Sequence, residues 1–214
     1  MKILYEDNHL LVVEKPINVP MQEDDSKDLD LLNMAKEYLR VKYDKPGNVY
    51  CGLVHRLDRP VGGVVVFAKT SKAASRLASS MQKDSWHKRY EAILQGQLPK
   101  EKILKDYLHK DEKLNTTKVV SKDTGKYAEL SFKVLSSKDQ LHHVSIELKT
   151  GRSHQIRVQF ASRACPLWGD QRYNKSAKVG QQLALWAVEL SFPHPTTQEI
   201  LRFESSPPKQ FPWA

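Results

Sequence analysis

Three short segments carry side chains able to do chemistry: His55-Arg56-Leu57-Asp58, Lys88-Arg89-Tyr90 and Gly151-Arg152-Ser153-His154-Gln155-Ile156-Arg157. The first sets one carboxylate among cations. Asp58, flanked by His55, Arg56 and Arg59, is of a type that can attack an electrophilic carbon or assist an elimination, provided it stays ionised. The same cluster also reads as a structural salt bridge, the ordinary fate of a lone charged group of this kind. Tyr90 equally reads as a half-buried strand tyrosine, and Arg152 and Arg157 as surface arginines on a helix. His154 and Arg157, spaced i, i+3 beside Gly151, would share one helical face and form a preorganised basic pocket.

Each segment needs an element to hold it. Gly63-Val64-Val65-Val66-Phe67-Ala68 has β-branched residues on both faces and reads as a fully buried strand. That strand places Asp58 at the mouth of a rigid element, after a tight turn. Before it, Ile3-Leu4-Tyr5 and Leu10-Leu11-Val12-Val13 form a hairpin signal. A polar loop over Gln22 to Asp28 follows, then an amphipathic helix from Leu29 to Val41 on Leu32, Ala35 and Leu39. Thr70-Ser71 supplies an N-cap for a helix carrying Ala74, Leu77, Ala78 and Met81. Arg89 to Gly96 is strand-like, as is Lys105 to His109. Lys110 to Lys126 reads as an exposed connection or long hairpin tip with a turn at Asp123-Thr124-Gly125.

Period-two alternation marks Ala128, Leu130, Phe132 and Val134, then Val144, Ile146 and Leu148, with Ser136 to Gln140 as the connection. Thr150 to Ser153 starts a helix running to about Ala164 with Ile156 and Phe160 inward. Leu183 to Phe192 and Glu199 to Phe203 close the pattern. No repeating βαβ order is present, so the expected class is α+β with a largely antiparallel sheet. One domain over residues 1–214 is expected.

Composition narrows the function. A chain of 214 residues can bury a sizeable core without metals or disulfides. Cys51 and Cys165 stand apart rather than as CxxC pairs, which makes a zinc site unexpected and a reducing compartment the default. The charged start, Met1 to Asp7, is unlike a signal peptide, and no apolar run has transmembrane length. A soluble, cytoplasmic monomer is expected, with no membrane partner. A net charge of +9 and a pI near 9.4 let a protein gain affinity from counterion release off a polyanion, which puts nucleic acid first among partners.

Taken together the segments resemble a known family. His55-Arg56-Leu57-Asp58, Lys88-Arg89-Tyr90 with Glu91 to Gly96, and Thr150-Gly151 to Arg157 are similar to the three core motifs of RluA-type RNA pseudouridine synthases. Glu6-Asp7, Lys15-Pro16, and Gly169-Asp170 with Tyr173 resemble further signatures, so the likeness spans about Leu4 to Phe192. The chain carries Val61-Gly62-Gly63 where that family usually has Thr-Ser-Gly. No S4-type RNA-binding domain, such as some relatives carry in front of the core, is expected here, and affinity is expected from the core's own basic surface.

The resemblance implies isomerisation of a uridine in ribosomal or transfer RNA to pseudouridine, without metal or cofactor. Asp58 then attacks the ribose anomeric carbon, assists elimination to a glycal, or attacks the base. Arg157 pairs with Asp58 and holds it charged. Tyr90 stacks on the target base; a phenol, with an ordinary pKa of about 10, is a weak base near neutrality. Arg56 enters the space left by the flipped base. His55, Arg152 and His154 shape the pocket or touch RNA backbone, and Leu183 or Leu185 supplies an apolar wall. Two other classes fit parts of the sequence: an RNA-binding module without turnover, and a nucleoside hydrolase, which would need a second carboxylate beside Asp58.

Overall fold

Alternating and continuous apolar runs become strands in the computed structural model, which describes residues 1–213. The elements are β1 (Lys2–Glu6), β2 (Leu10–Lys15), α1 (Leu31–Lys42), β3 (Gly52–Leu53), β4 (Gly62–Ala68), α2 (Ser71–Gln82) and β5 (His87–Gln95). They continue as β6 (Ile103–Asp111), β7 (Thr116–Val120), β8 (Lys126–Lys138), β9 (Leu141–Leu148), α3 (Gln155–Ala161), β10 (Leu185–Pro193) and β11 (Ile200–Glu204). Many strands with three helices make an α+β protein. The described residues form two compact units, 1–87 with 187–206 and 88–186 with 207–213.

In the first unit β2 pairs antiparallel with both β1 and β4, and β11 pairs antiparallel with the end of β10. Every residue of β4 is buried, as its run of Val64, Val65, Val66 and Phe67 demands. One core gathers Leu10, Val12, Val64, Val66, Leu77, Trp86, Leu190 and Phe192. Both helices start on side-chain caps that satisfy otherwise orphaned N–H groups: Asp30 accepts from Asn33 N before α1, and Thr70 from Ala73 N before α2. On α1 the buried stripe is Leu31, Ala35 and Leu39, with Leu31 taking the place expected for Leu32.

In the second unit β9 pairs antiparallel with β5 and β8, and β6 with β8 and β7. Three sequence expectations change here. Strand β8 runs on through Ser136 to Lys138, because Asp139 and Gln140, at φ 49° and 62°, make the whole turn in two left-handed residues. The polar stretch 110–126 contains strand β7, held by its register against β6 rather than by any apolar pattern. Helix α3 has seven residues, and His154 before it sits in the left-handed region with φ 52°. His154 and Arg157 therefore do not lie on one helical face. Gln155 ties down the loop before the helix: its Oε1 accepts from Arg152 N at 3.0 Å and from the Thr150 hydroxyl at 2.8 Å. Among the described residues no helix is long and apolar enough to cross a membrane.

Candidate active site

A tight turn delivers Asp58 to β4, with Val61 N donating to Asp58 O at 3.0 Å. The clamp on that turn is Lys15, the last residue of β2. It lies opposite Gly63 in the β2–β4 register and is fully buried. Its Nζ donates to three carbonyls, Pro16 O at 3.0 Å, Arg59 O at 2.9 Å and Val61 O at 2.7 Å. That is the whole donor capacity of an ammonium, and two of the three bonds grip the residues after Asp58. Burial pulls the Lys15 pKa down to about 7, against the pull of the Asp58 charge and with a smaller push from Arg59.

Gly63 is required where β4 begins. Its φ is +120°, and a Cβ there would lie 2.2 Å from Ala187 O, so no L side chain fits. Of the neighbouring cations, Arg59 turns to the loop before α1, donating to the Ser26 hydroxyl at 2.9 Å and pairing with Asp28 and Asp24. His55 Nε2 accepts from Val66 N at 3.1 Å, and its ring meets Trp86 edge-on at 5.5 Å. That bond places the proton of a neutral His55 on Nδ1. Arg56 is exposed.

In the second unit Tyr90 is buried on β5, opposite Ile146 of β9. Leu183 and Leu185 are buried as well. Arg157, on α3, is buried and paired side-on with Asp170: Nε donates to Oδ2 at 2.8 Å and Nη2 to Oδ1 at 2.7 Å. Its guanidinium carbon lies 5.2 Å from the centre of the Tyr173 ring. The Tyr173 hydroxyl accepts from Thr117 N at 2.8 Å and meets His154 Nδ1 at 2.7 Å. Burial raises the Tyr173 pKa, while the Thr117 N–H and the charge on Arg157 act to lower it. Arg152 is exposed, its Nε donating to Tyr127 O at 2.8 Å.

The first unit thus carries His55, Arg56 and Asp58, and the second Tyr90, Arg152, His154, Arg157 and Leu185. Three further residues contact these segments, each within its own unit: Lys15 in the first, and Asp170 and Tyr173 in the second. The sequence marks all three only through short signatures; the partners that tie them to distant segments lie 13 to 56 positions away, beyond any local pattern.

The family model described as RNA pseudouridylate synthase matches residues 9–162, a span that includes Lys15, Asp58, Tyr90 and Arg157. The chain belongs to the RNA pseudouridylate synthase family. It is 34% identical over 211 residues to an uncharacterized RNA pseudouridine synthase of Bacillus subtilis, covering 96% of this chain and 68% of that protein. It is 31% identical to the ribosomal large subunit pseudouridine synthase D of Pseudomonas aeruginosa, over 100% of this chain and 70% of that one. The solved structure of human RNA pseudouridylate synthase domain containing 4 superposes with a TM-score of 0.79 at 22% identity, covering 97% of this chain and 89% of that one. That likeness shows the pseudouridine synthase fold. Family membership makes the chain an isomerase that converts uridine in RNA to pseudouridine.

Proposed function

We propose that this pseudouridine synthase modifies uridines of ribosomal RNA in the cytoplasm, acting as a monomer through one catalytic domain over residues 1–214, with Asp58 as the catalytic carboxylate. The ribosomal assignment is supported by relatives named as ribosomal large subunit synthases. The assignment of Asp58 rests chiefly on one observation, the buried Lys15 clamp that fixes the turn leaving Asp58. A carboxylate on a fixed turn meets the geometric demand of attack at an anomeric carbon.

The reaction is balanced without an external reagent. The bond from ribose C1′ to uracil N1 breaks, the base turns, and C5 bonds to C1′; the proton leaves C5 and N1 gains one. Arg157 is assigned to hold Asp58 ionised, because burial with a nucleotide would otherwise raise its pKa. Tyr90 is assigned to stack on the uracil, and Arg56, exposed and planar, to fill the gap left by the flipped base. Arg152 contacts RNA backbone, Leu185 lines the base pocket, and His55 and His154 act by supporting β4 and Tyr173.

The test uses ribosomal RNA transcribed in vitro with uridine tritiated at carbon 5. Wild-type protein releases tritium and leaves pseudouridine at defined positions. Free uracil as product would indicate a hydrolase instead, and RNA bound but unchanged would indicate a binding module. Tritium released only from transfer RNA would overturn the ribosomal assignment.

A further inference from the structure

An arginine that must hold another group in place has to be held itself. A guanidinium carries five N–H donors in one plane, so fixing one edge and the tilt of that plane fixes where every remaining donor aims. Asp170 fixes the edge, taking Nε and Nη2 with its two oxygens, which turns the Nη1 side of the fork away from that carboxylate. The Tyr173 ring lies against the guanidinium and sets the tilt.

Both supports are built in from several directions. Gly169, with φ +71°, allows the close approach that seats Asp170, since a Cβ there would lie 2.0 Å from Gln182 O. Asp170 Oδ1 also accepts from Arg172 N at 3.1 Å and Tyr173 N at 3.3 Å, and its backbone O accepts from Asn174 N at 2.8 Å. Tyr173 is tied through its hydroxyl to Thr117 and His154. His154 reaches it from a left-handed conformation, one that is uncommon for a residue with a Cβ. Stability alone is a poor reason for such an arrangement, because buried ion pairs are commonly replaceable by apolar residues without loss.

We infer that Asp170 and Tyr173 are positioning residues of the isomerisation, acting through Arg157 by fixing the direction of its donors. The inference rests on the reading of Arg157 as the partner of the catalytic carboxylate. It goes beyond that reading in assigning two further residues to the reaction, neither touching substrate.

The experiment is a double-mutant cycle on the full chain, read as single-turnover rate and KM on the tritiated ribosomal transcript. Asp170→Asn is expected to slow turnover about 10²-fold, the usual effect of a misplacement of about 1 Å, with KM changed less than about threefold. Arg157→Met is expected to slow it at least as much. The double variant Asp170→Asn/Arg157→Met is expected to match Arg157→Met within about twofold, because a residue acting through Arg157 has nothing left to act on. Losses that multiply, or an Asp170→Asn rate equal to wild type, would overturn the inference and leave the proposed function standing. A fully active Arg157→Met would instead remove its premise. Should Asp170→Asn fail to fold, Tyr173→Leu serves in the same cycle, with about a tenfold loss in wild type and none beside Arg157→Met; multiplying losses there overturn the inference equally.

Discussion

Lys15 and Asp170 are both buried charged residues that hold something else in place, yet one grips backbone and the other grips a side-chain head group. Lys15 spends its donors on the carbonyls of Pro16, Arg59 and Val61, groups that every residue type possesses. Asp170 spends its acceptors on the guanidinium of Arg157, which no other side chain reproduces. A backbone clamp fixes the path of the chain and ignores which side chains are mounted on it. A head-group clamp fixes a direction in space and tolerates no replacement. The contrast bears on how Val61 can stand where the family usually has threonine: the turn is held by its backbone, through its carbonyl to Lys15 and its N–H to Asp58 O.

The largest effect expected in the first unit comes from Asp58→Asn, which should remove at least about 10³-fold of turnover while the chain folds and still binds RNA. Clear turnover by that variant would break the assignment of the whole segment. Next comes Lys15→Met, which leaves the carbonyls of Pro16, Arg59 and Val61 without their donor and should cost about 2 kcal/mol at pH 9, where the neutral amine keeps two N–H donors, from about 1 kcal/mol for each bond lost. The sign of its pH dependence follows from the lowered pKa. Folded Lys15 loses its proton at about 7 and the unfolded chain at 10.5. Between those values the unfolded state binds the extra proton, so wild-type stability rises with pH. Urea unfolding should therefore show the gap between wild type and Lys15→Met widening from pH 7 towards 10; a gap that narrows would refute the clamp's energetics.

Glu6→Gln tests the first unit away from the turn. Burial alone would raise the Glu6 pKa, but hydrogen bonds from Lys42, Lys69, Tyr43 and Tyr38 outweigh it and bring it to about 2 from 4.5. A depressed carboxyl contributes stability above pH 4.5 that is lost as pH falls through about 2. The variant should be less stable by about 1–2 kcal/mol at pH 7, equal to wild type near pH 2, and unchanged in turnover. The smallest effect on turnover is expected from Val61→Thr: Val61 is buried, so the added hydroxyl should cost about 1 kcal/mol in stability while turnover stays normal. A large loss there would mean that the turn is read by side chain after all.

Much of this was legible in the residues. The buried strand β4, the α2 cap at Thr70 and the α+β class follow from local period and turn chemistry. Helix α3 was overextended, because the sequence does not announce the left-handed His154 or the Gln155 side chain that ends the loop. Strand β7 was invisible, since its residues are polar and only the register with β6 makes them a strand. Asp58, Tyr90 and Arg157 stand out as candidates by motif alone. What holds them does not, because Lys15 reaches 46 positions to Val61 and Thr117 reaches 56 to Tyr173.

Complete burial gives Lys15 a chemical signature. An amine that is 0% exposed and engaged with three carbonyls cannot meet an acylating reagent while the turn is closed, whereas lysines at the surface react freely. The rate at which a brief pulse of acetic anhydride marks Lys15, read by mass spectrometry, is thus a clock for the opening of the segment that carries Asp58, measurable with no RNA present.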